Sequence, residues 1–275
     1  YRFIHEHVEG KELTIICQYY NDKNPERQEE LDVCFKQNIA NPKVKQIVNF
    51  TEPETTIPEY LTTNPKFVSI PTNGRLKFET AIEYANENLE SEFVCISNAD
   101  TFLDFKSDWK QMCRTMMSNN KIVYALSRHE FDGQQFYKNP TLNSLGYANS
   151  QDAWFFIPKL VVSNIDFLIG TMGCDNAFAH RLKSSGYTPI NSPNEYKIYH
   201  YDACRKGEQD DVEFHKQDDK SKNIVNTHPE QEGYYLCPDI DMTDELFNRI
   251  KMSKIDRYIM LCDLLTKNIK IDNTK

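Results

Sequence analysis

The sequence predicts an α/β fold in which helices cover both faces of a mostly parallel β-sheet. Five short apolar runs alternate with amphipathic helical segments through residue 126, which is the order typical of this fold class. The chain of 275 residues is long enough for one large α/β domain. Its apolar fraction of 39%, with 15 Tyr and 16 Phe, is sufficient for a packed core and excludes a disordered chain.

Each of the five predicted strands is a short run of mostly apolar and β-branched residues, as expected for strands buried on both faces of a sheet. These strands are residues 13–20, 44–50, 67–70, 93–96 and 122–126. The third ends at Pro71, which has no backbone N–H to donate to a neighbouring strand.

The predicted helices between these strands carry apolar residues at helical spacing. They cover residues 24–39, 78–89 and 106–117. The first begins with Asn24-Pro25-Glu26, which combines an N-cap residue, a proline at the first helical position and an acid in the first turn. In such folds, ligands bind at the carboxyl ends of the strands where the strand order reverses. Residues directly after each strand are therefore the candidates for chemistry.

The second half of the chain completes this domain and adds an extension. Residues 132–150 are polar and predict a loop, and a helix is predicted to start near Asp175. Further strands are predicted at residues 153–157, 187–190 and 197–201, the last two as a strand pair. We expect one α/β domain over residues 1–205, followed by a polar linker and a C-terminal amphipathic helical extension over 206–275. The amphipathic segment at 243–267 either docks on the domain or forms a homodimer contact.

The net charge of −9 restricts the possible partners. Nucleic acid and anionic lipid are excluded as expected ligands, because their phosphates would be repelled. To bind a phosphate-bearing small molecule, such a protein needs a local positive charge at the site, from either a metal ion or an arginine.

The eight cysteines show no CxxC pair and no zinc-ligand spacing. Cys17 and Cys95 lie in predicted strands, where a buried free thiol is the ordinary state. We expect a reduced, cytoplasmic protein, although the even number leaves a disulfide framework and the secretory pathway open. The sequence contains no run of 18 apolar residues, so no membrane-spanning helix is predicted. The chain starts at Tyr1 rather than Met, so it could be part of a longer protein.

The segment Ser97-Asn98-Ala99-Asp100 directly follows the fourth predicted strand. In extended backbone the side chains of Asn98 and Asp100 point to the same side. Together they can bind a ribose or phosphate and a Mg²⁺ or Mn²⁺ ion, which prefer oxygen ligands. The alternative is a turn closed by an Asx cap.

Several motifs in succession resemble nucleotide-sugar glycosyltransferases of the GT-A fold, whose pattern is an Arg-Leu-x-Phe/Tyr helix start followed by a strand ending in Asn-Ser/Ala-Asp. The matching segments are Arg75-Leu76-Lys77-Phe78, Ile96-Ser97-Asn98-Ala99-Asp100, Ser150-Gln151-Asp152-Ala153-Trp154, Gly170-Thr171-Met172-Gly173-Cys174-Asp175-Asn176 and His200. The resemblance covers residues 13–202. It implies a GT-A-like, Rossmann-type sheet and a nucleotide-sugar donor.

The resemblance also implies a metal site. Asp100 would bind the metal, and His200 would supply another ligand. Asn98 stands where the family's Asp-x-Asp motif usually has its first acid, and its carbonyl oxygen still allows contact with ribose or metal. Neutral imidazole suits Mn²⁺ better than Mg²⁺, so Mn²⁺ (or Mg²⁺) is the expected cofactor. For His200, a structural side chain at a strand end is the alternative.

Two carboxylates are the catalytic candidates, Asp175 as the general base if the enzyme inverts and Asp152 as a ligand of substrate hydroxyls. The segment around Asp175 and Asn176 resembles Gly-x-Glu-Asp, whose acid is the general base of inverting enzymes. Asp175 also suits a helix N-cap, and Asn176, which departs from the family acid, is an acceptor-binding candidate. Asp152 could bind acceptor or donor-sugar hydroxyls, with Trp154 either as a stacking face or as a core residue.

The remaining candidates for donor binding follow the predicted strands or begin a helix. The full donor-binding set is Gln18, Tyr19, Tyr20, Glu52, Arg75, Asn98, Ala99 and Arg128. A tyrosine ring at the end of the first strand could stack on the nucleotide base, and Glu52 could reach the ribose or base. The guanidinium group of Arg75 could contact the diphosphate or the base, and that of Arg128 could contact a phosphate.

Together, these observations predict a metal-dependent, hexosyltransferase-like enzyme that moves a sugar from a nucleotide-diphosphate sugar, expected to be a UDP-sugar, to a hydroxyl of a glycan or protein. A nucleotidyltransferase shares the layout, but residues 18–26 contain no glycine for a phosphate loop. A non-catalytic nucleotide-sugar-binding module is the other alternative, which Asn98 and Asn176 favour because each replaces an acid.

Overall fold

A computed structural model describes residues 12–90, 92–137, 150–171 and 173–204. It confirms the predicted α/β fold, because its centre is a seven-stranded, mostly parallel sheet with helices packed against it. The predicted extension over 206–275 lies outside the described residues, as does the helical segment at 243–267 with its docking or homodimer contact.

The strands form two sheets and are labelled in chain order. The large sheet contains β1 (Leu13–Cys17), β2 (Val44–Thr51), β3 (Phe67–Pro71), β4 (Phe93–Ser97), β6 (Ile122–Leu126), β9 (Ala153–Phe156) and β10 (Thr188–Ile190). The small sheet contains β5 (Thr101–Leu103), β7 (His129–Phe131), β8 (Phe136–Tyr137) and β11 (Ile198–Tyr201).

Five helices are described, and capping interactions at two of them explain where they begin. They are α1 (Pro25–Ala40), α2 (Glu59–Thr62), α3 (Phe78–Asn88), α4 (Trp109–Ser118) and α5 (Cys174–Ser184). The predicted start of α1 is confirmed, since the Asn24 side chain accepts a hydrogen bond from the Glu26 N–H at 3.0 Å. α4 begins slightly later than predicted because Asp108 caps it and accepts from the Gln111 N–H.

The strand order of the large sheet creates a crevice beside β1. The order is β10-β6-β9-β4-β1-β2-β3, so the chain builds outward through β2 and β3 and then returns to pair β4 with the other side of β1. Only β9 runs antiparallel to its neighbours. The carboxyl ends of β1 and β4 therefore flank the point where the strand order reverses, which is where α/β sheets bind ligands.

Three strands of the small sheet, β5, β7 and β8, were not predicted, because strands of two or three residues are too short to show a periodic pattern. β11 was predicted, but its expected pairing with β10 is wrong, because β10 belongs to the large sheet. β11 lies at the centre of the small sheet, antiparallel to β5 and parallel to β7. His200 is consequently opposite Thr101 on one side and Glu130 on the other. This sheet brings chain segments about a hundred residues apart in sequence to the end of β4.

Apolar side chains fill both faces of the large sheet. On one face the ring of Trp154 packs edge-on against Phe178 at 4.7 Å between centroids and against Phe78 at 6.2 Å. Trp154 is only 2% exposed. The suggested role of Trp154 as a stacking face for a sugar is therefore corrected: its ring belongs to the core.

Replacing Trp154 by phenylalanine should lower the free energy of unfolding by about 1–3 kcal/mol, because a smaller ring leaves a void in this core. Trp109→Phe is the matched control, since Trp109 is equally buried on the opposite face. Denaturant titration measures both losses. Neither variant should change the thermal shift produced by a nucleotide-sugar, and a selective loss of that shift in Trp154→Phe would contradict the core assignment.

The thiols and helices of the described residues add two observations. The cysteines found there are all free thiols: Cys17, Cys34, Cys95, Cys113, Cys174 and Cys204. Among the helices in the described ranges, none has the length and apolar character needed to cross a membrane.

Candidate functional site

A cavity of about 410 Å³ opens at the carboxyl ends of β1 and β4. It contains most of the residues predicted from the sequence: Gln18, Tyr20, Glu52, Arg75, Asn98, Ala99, Asp100, Arg128, Asp152 and His200. Arg27, Asp202 and Gly170 also line it and were not predicted. The cavity combines at least three arginines with several carboxylates, so it is a polar, charged site within an otherwise apolar fold.

Two of the predicted binding residues do not face this cavity. Tyr19 is 1% exposed, packs its ring edge-on against Phe35 and donates its hydroxyl to Asp32 at 2.7 Å. Its predicted role in base stacking is therefore corrected, because side chains alternate along extended backbone and only Tyr20 points to the cavity. Asn176 is 3% exposed within α5, so its predicted contact with an acceptor is corrected as well.

Gln18 shapes the cavity wall through its amide group. Its Nε2 donates to the Gly74 carbonyl at 3.2 Å, and its Oε1 accepts from the Leu76 N–H at 2.7 Å. Both ends of this side chain thus hold the turn that carries Arg75. The Arg75 guanidinium donates to the Ile169 carbonyl at 3.3 Å on the opposite wall.

Gly170 allows the opposite wall to approach closely. Its φ of +73° is unfavourable for residues with a side chain. A Cβ there would lie 3.7 Å from Oδ1 of Asn98 and 4.0 Å from Nη2 of Arg75. A side chain at this position would therefore extend into the cavity beside both donor-binding candidates.

Asp100 lies at the centre of a charged cluster in the cavity wall. Its Oδ2 accepts a close hydrogen bond from Nη2 of Arg27 and lies 3.3 Å from Nε2 of His200. Burial alone would raise the pKa of Asp100, but the charges and hydrogen bonds of His200 and Arg27 outweigh it and hold that pKa well below its ordinary value. Asp100 is therefore a carboxylate at any pH near neutral.

His200 connects Asp100 to a second acid. Its Nδ1 lies 3.2 Å from Oε2 of Glu130, the residue opposite it on β7. Burial and the charge of Arg128 lower the pKa of His200, but Asp100 and Glu130 raise it by a larger amount, to about 9. Without a bound metal, His200 is an imidazolium at neutral pH.

The donor atoms around Asp100 suit a divalent metal. Oδ2 of Asp100 and Nε2 of His200 are 3.3 Å apart, and Oδ2 of Asp202 is 3.9 Å from the same nitrogen. Two ligands at roughly 2.1 Å from one ion in octahedral geometry are separated by about 3 Å. Carboxylate and imidazole together fit Mn²⁺. Within the described ranges, Glu30, Asp202 and Cys204 form a second possible metal site, because their ligand atoms lie close to one another. This second group adjoins the cluster around Asp100.

The two carboxylate oxygens of Asp152 differ in their hydrogen bonding. Its Oδ1 accepts from Nη1 of Arg128 at 2.9 Å and from Nδ2 of Asn98 at 3.0 Å. Its Oδ2 is buried and has no hydrogen-bond partner among the described residues, although the residue lines the cavity and is 4% exposed. A buried carboxylate oxygen without a donor is costly, and a ligand hydroxyl would satisfy it.

Asp175 lies behind Asp152 and does not line the cavity. Its carboxylate accepts from the Gln151 N–H and from the Cys174 thiol, each at 3.3 Å. Burial raises the pKa of Asp175 to about 8, and the charge of Asp152 adds to the rise. Asp175 is therefore mostly protonated at neutral pH, and only the deprotonated fraction could serve as a base.

Replacing Asp175 by asparagine should stabilise the protein, increasingly as pH rises from about 4 to 8. The folded-state pKa is about 8 against an ordinary value of 3.8, so wild-type stability is fully present below pH 4 and falls until pH 8. We expect a gain of about 1–3 kcal/mol at pH 8, less than the full shift because the side chain keeps some access to solvent. Thermal unfolding across this range, with the exposed Glu54→Gln as control, measures it. A pH-independent difference would contradict the assignment.

The sequence analysis missed Arg27 and Asp202 for different reasons. Arg27 stands in the first turn of an amphipathic helix, where an arginine is ordinarily exposed, and it is nevertheless 4% exposed. Asp202 follows β11, a strand end like those used for the other candidates. Applying the same rule to this strand could have found Asp202, whereas Arg27 becomes visible only in three dimensions.

No protein-family model matches the sequence. Over 108 residues, or 38% of the chain, it is 30% identical to a protein of Acanthamoeba polyphaga mimivirus described as an ariadne-like RING finger protein. That match spans 10% of the mimivirus protein's length.

Three solved structures are similar in fold. S. aureus TarS has a TM-score of 0.46 at 10% identity, covering 69% of this chain and 60% of that one. GalNAc-T7, solved with UDP, GalNAc and Mn²⁺, has a TM-score of 0.47 at 8% identity, covering 70% and 44%. The mannosyltransferase PcManGT of Pyrobaculum calidifontis, solved with GDP-Man and Mn²⁺, has a TM-score of 0.47 at 17% identity, covering 74% and 60%. At these identities the similarity is one of fold alone.

Proposed function

We propose that this chain is a glycosyltransferase that binds a nucleotide-diphosphate sugar in the cavity at the ends of β1 and β4 and transfers the sugar to a hydroxyl group. The volume of about 410 Å³ is within the range of small-ligand sites. The GT-A resemblance of the motifs supports the donor class, since the residues carrying it, Arg75 and Asn98 to Asp100, line this one cavity. The expected donor is a UDP-sugar.

The observation that best supports the proposal is the buried Asp152 carboxylate, which has one oxygen without a hydrogen-bond donor. Its buried Oδ2 lacks a donor, while Arg128 and Asn98 fix the other oxygen and so fix the direction of the group. Such an oxygen suits the hydroxyl of a sugar better than a phosphate, which would be repelled. Of the two carboxylates predicted for chemistry, Asp152 is the one that lines the cavity.

The cationic groups suit the other part of the donor. Arg75 and Arg128 lie on the cavity wall of a protein whose net charge is −9. A guanidinium can bind two phosphate oxygens at once, which a single point charge cannot. We infer that these arginines hold the diphosphate, with Tyr20 and Glu52 toward the nucleoside.

In the transfer we propose, the acceptor oxygen forms a bond to the anomeric carbon while the bond from that carbon to the β-phosphate oxygen breaks. Asp152 accepts the hydroxyl proton, and the nucleoside diphosphate leaves with the bonding electrons. Arg75 and Arg128 stabilise the negative charge that develops on it. A Mn²⁺ or Mg²⁺ ion held by Asp100 and His200 would supply further charge stabilisation when bound.

Thermal unfolding with UDP-, GDP- and TDP-sugars, each with and without Mn²⁺, tests the proposed donor. A ligand bound by the folded state raises the midpoint, so one nucleotide should give a clear shift. Arg75→Met should abolish that shift, whereas Arg114→Met, on α4 and away from the cavity lining, should retain it. A failure of every donor to shift the midpoint would reject the proposal.

A non-catalytic binding module is the second candidate, favoured because Asn98 replaces an acid and uses its amide to hold Asp152. Release of nucleoside diphosphate from the bound donor separates the two candidates. Turnover supports the transferase, and tight binding with no turnover in the presence of hydroxyl acceptors supports the module.

A further inference from the structure

Arg27 donates hydrogen bonds to several acceptors of the charged cluster. Its Nη1 donates to Glu30 at 3.0 Å, to the Tyr201 carbonyl at 3.2 Å and to Asp202 at 3.5 Å. Its Nη2 forms the close contact with Asp100. The side chain is 4% exposed, so these acceptors replace nearly all of its hydration. Three carboxylates therefore share one buried guanidinium.

The carboxylate atoms held by Arg27 are among those that would bind a metal. Oδ2 of Asp100, the nearest carboxylate oxygen to Nε2 of His200, is the atom that Nη2 of Arg27 contacts. Asp202 offers one oxygen to Arg27 and the other to the His200 side of the cluster. A divalent ion ligated by Asp100 and His200 would be next to the guanidinium, and the two cations would repel each other.

Burial makes this competition effective. Partly buried carboxylates with no cation beside them would have uncompensated charges, which is unfavourable. Arg27 supplies such a cation from the first turn of α1, covalently attached and already in place. In the metal-free site these carboxylates are therefore already hydrogen-bonded and partly neutralised by Arg27.

We propose that Arg27 is a built-in counter-cation that competes with a divalent metal for Asp100 and Asp202 and so weakens metal binding at this site. Arg27 acts on the metal through the carboxylates and is a positioning residue. The inference rests on the proposed function only for the expectation that a metal belongs here. Its test uses Mn²⁺ alone, without nucleotide or sugar, so its failure and that of the proposed transferase are distinguishable.

The test is to measure the Mn²⁺ dissociation constant by electron paramagnetic resonance for the wild type and for Arg27→Met. Methionine preserves much of the packing of the aliphatic part of the Arg27 side chain and removes its charge. We expect binding at least about 10-fold tighter in the variant, a lower midpoint of unfolding without metal, and a larger rise of that midpoint with saturating Mn²⁺. Arg114→Met, which removes a charge elsewhere, should bind Mn²⁺ like the wild type.

A second variant identifies the site and a third protects the test against misfolding. Adding Asp100→Asn to Arg27→Met should abolish the gain in affinity. If Arg27→Met does not fold even with Mn²⁺, Arg27→Lys is tested in its place. Lysine keeps the positive charge but lacks the paired N–H donors of the guanidinium, so this variant should bind Mn²⁺ more tightly than the wild type. Equal dissociation constants for the wild type and the Arg27 variant used would overturn the proposal. A gain that persists in the double variant would also overturn it, since the ion would then bind at Glu30, Asp202 and Cys204.

Discussion

Replacing Asp152 by asparagine should lower the rate of sugar transfer by about 10²–10⁴-fold, the range expected when a positioned general base is lost. Asparagine preserves the size of the side chain and can still accept hydrogen bonds from Arg128 and Asn98. It cannot take a proton from the acceptor hydroxyl. Release of nucleoside diphosphate from the donor identified by thermal unfolding measures the rate, and calorimetry measures donor affinity.

Donor affinity should change far less than the rate, because the arginines that we assign to the diphosphate remain in place. Asp175→Asn is the matched control, since its carboxylate lies behind Asp152 and does not line the cavity. We expect it to keep a rate much closer to that of the wild type. A greater loss in Asp175→Asn than in Asp152→Asn would assign the base to Asp175 and leave Asp152 a binding role.

Replacing Arg128 by methionine should lower the free energy of unfolding by about 3 kcal/mol, because it leaves a buried carboxylate without its charged partner. The Arg128 guanidinium is 2.9 Å from Oδ1 of Asp152, which is 4% exposed, and 3.5 Å from Glu130. Denaturant titration of the variant measures the loss.

The double variant Arg128→Met/Asp152→Asn separates this explanation from lost packing. Once the buried charge is also removed, most of the stability should return, to within about 1 kcal/mol of the wild type. Additive losses in the two single variants would show that the ion pair is not the cause. Arg114→Met again serves as a control for loss of an arginine from the described residues.

The local pattern was sufficient to predict the large sheet and most of the cavity. Alternating apolar strands and capped helices imply parallel strands, and the carboxyl ends of parallel strands meet at one edge. Residues after β1, β2, β4 and β6 therefore come together whatever the details of packing. Asp100 and Arg128 were found in this way, although they are 28 positions apart and neither pattern alone identifies a site.

The direction of individual side chains could not be predicted with the same success. Tyr19 and Tyr20 are adjacent and chemically alike, and the sequence left both as candidates for base stacking. One turns into the core beside Phe35 and the other lines the cavity. Trp154 also lies in an apolar strand, and only packing against Phe78 and Phe178 decides that its ring is not available to a sugar.

The sequence by itself thus determined the fold class, the edge of the sheet that carries the site, and the carboxylate at Asp100, because these depend on local periodicity and on the residues that follow each strand. Only the tertiary structure decided the charge state of that site. The small sheet joins β5, β7 and β11 and brings His200 and Asp202 under Arg27, although 173 or more positions separate them from it. Such pairings arise from long-range strand contacts that leave no periodic signal in the sequence, and electrostatic interactions follow distance in space rather than distance along the chain.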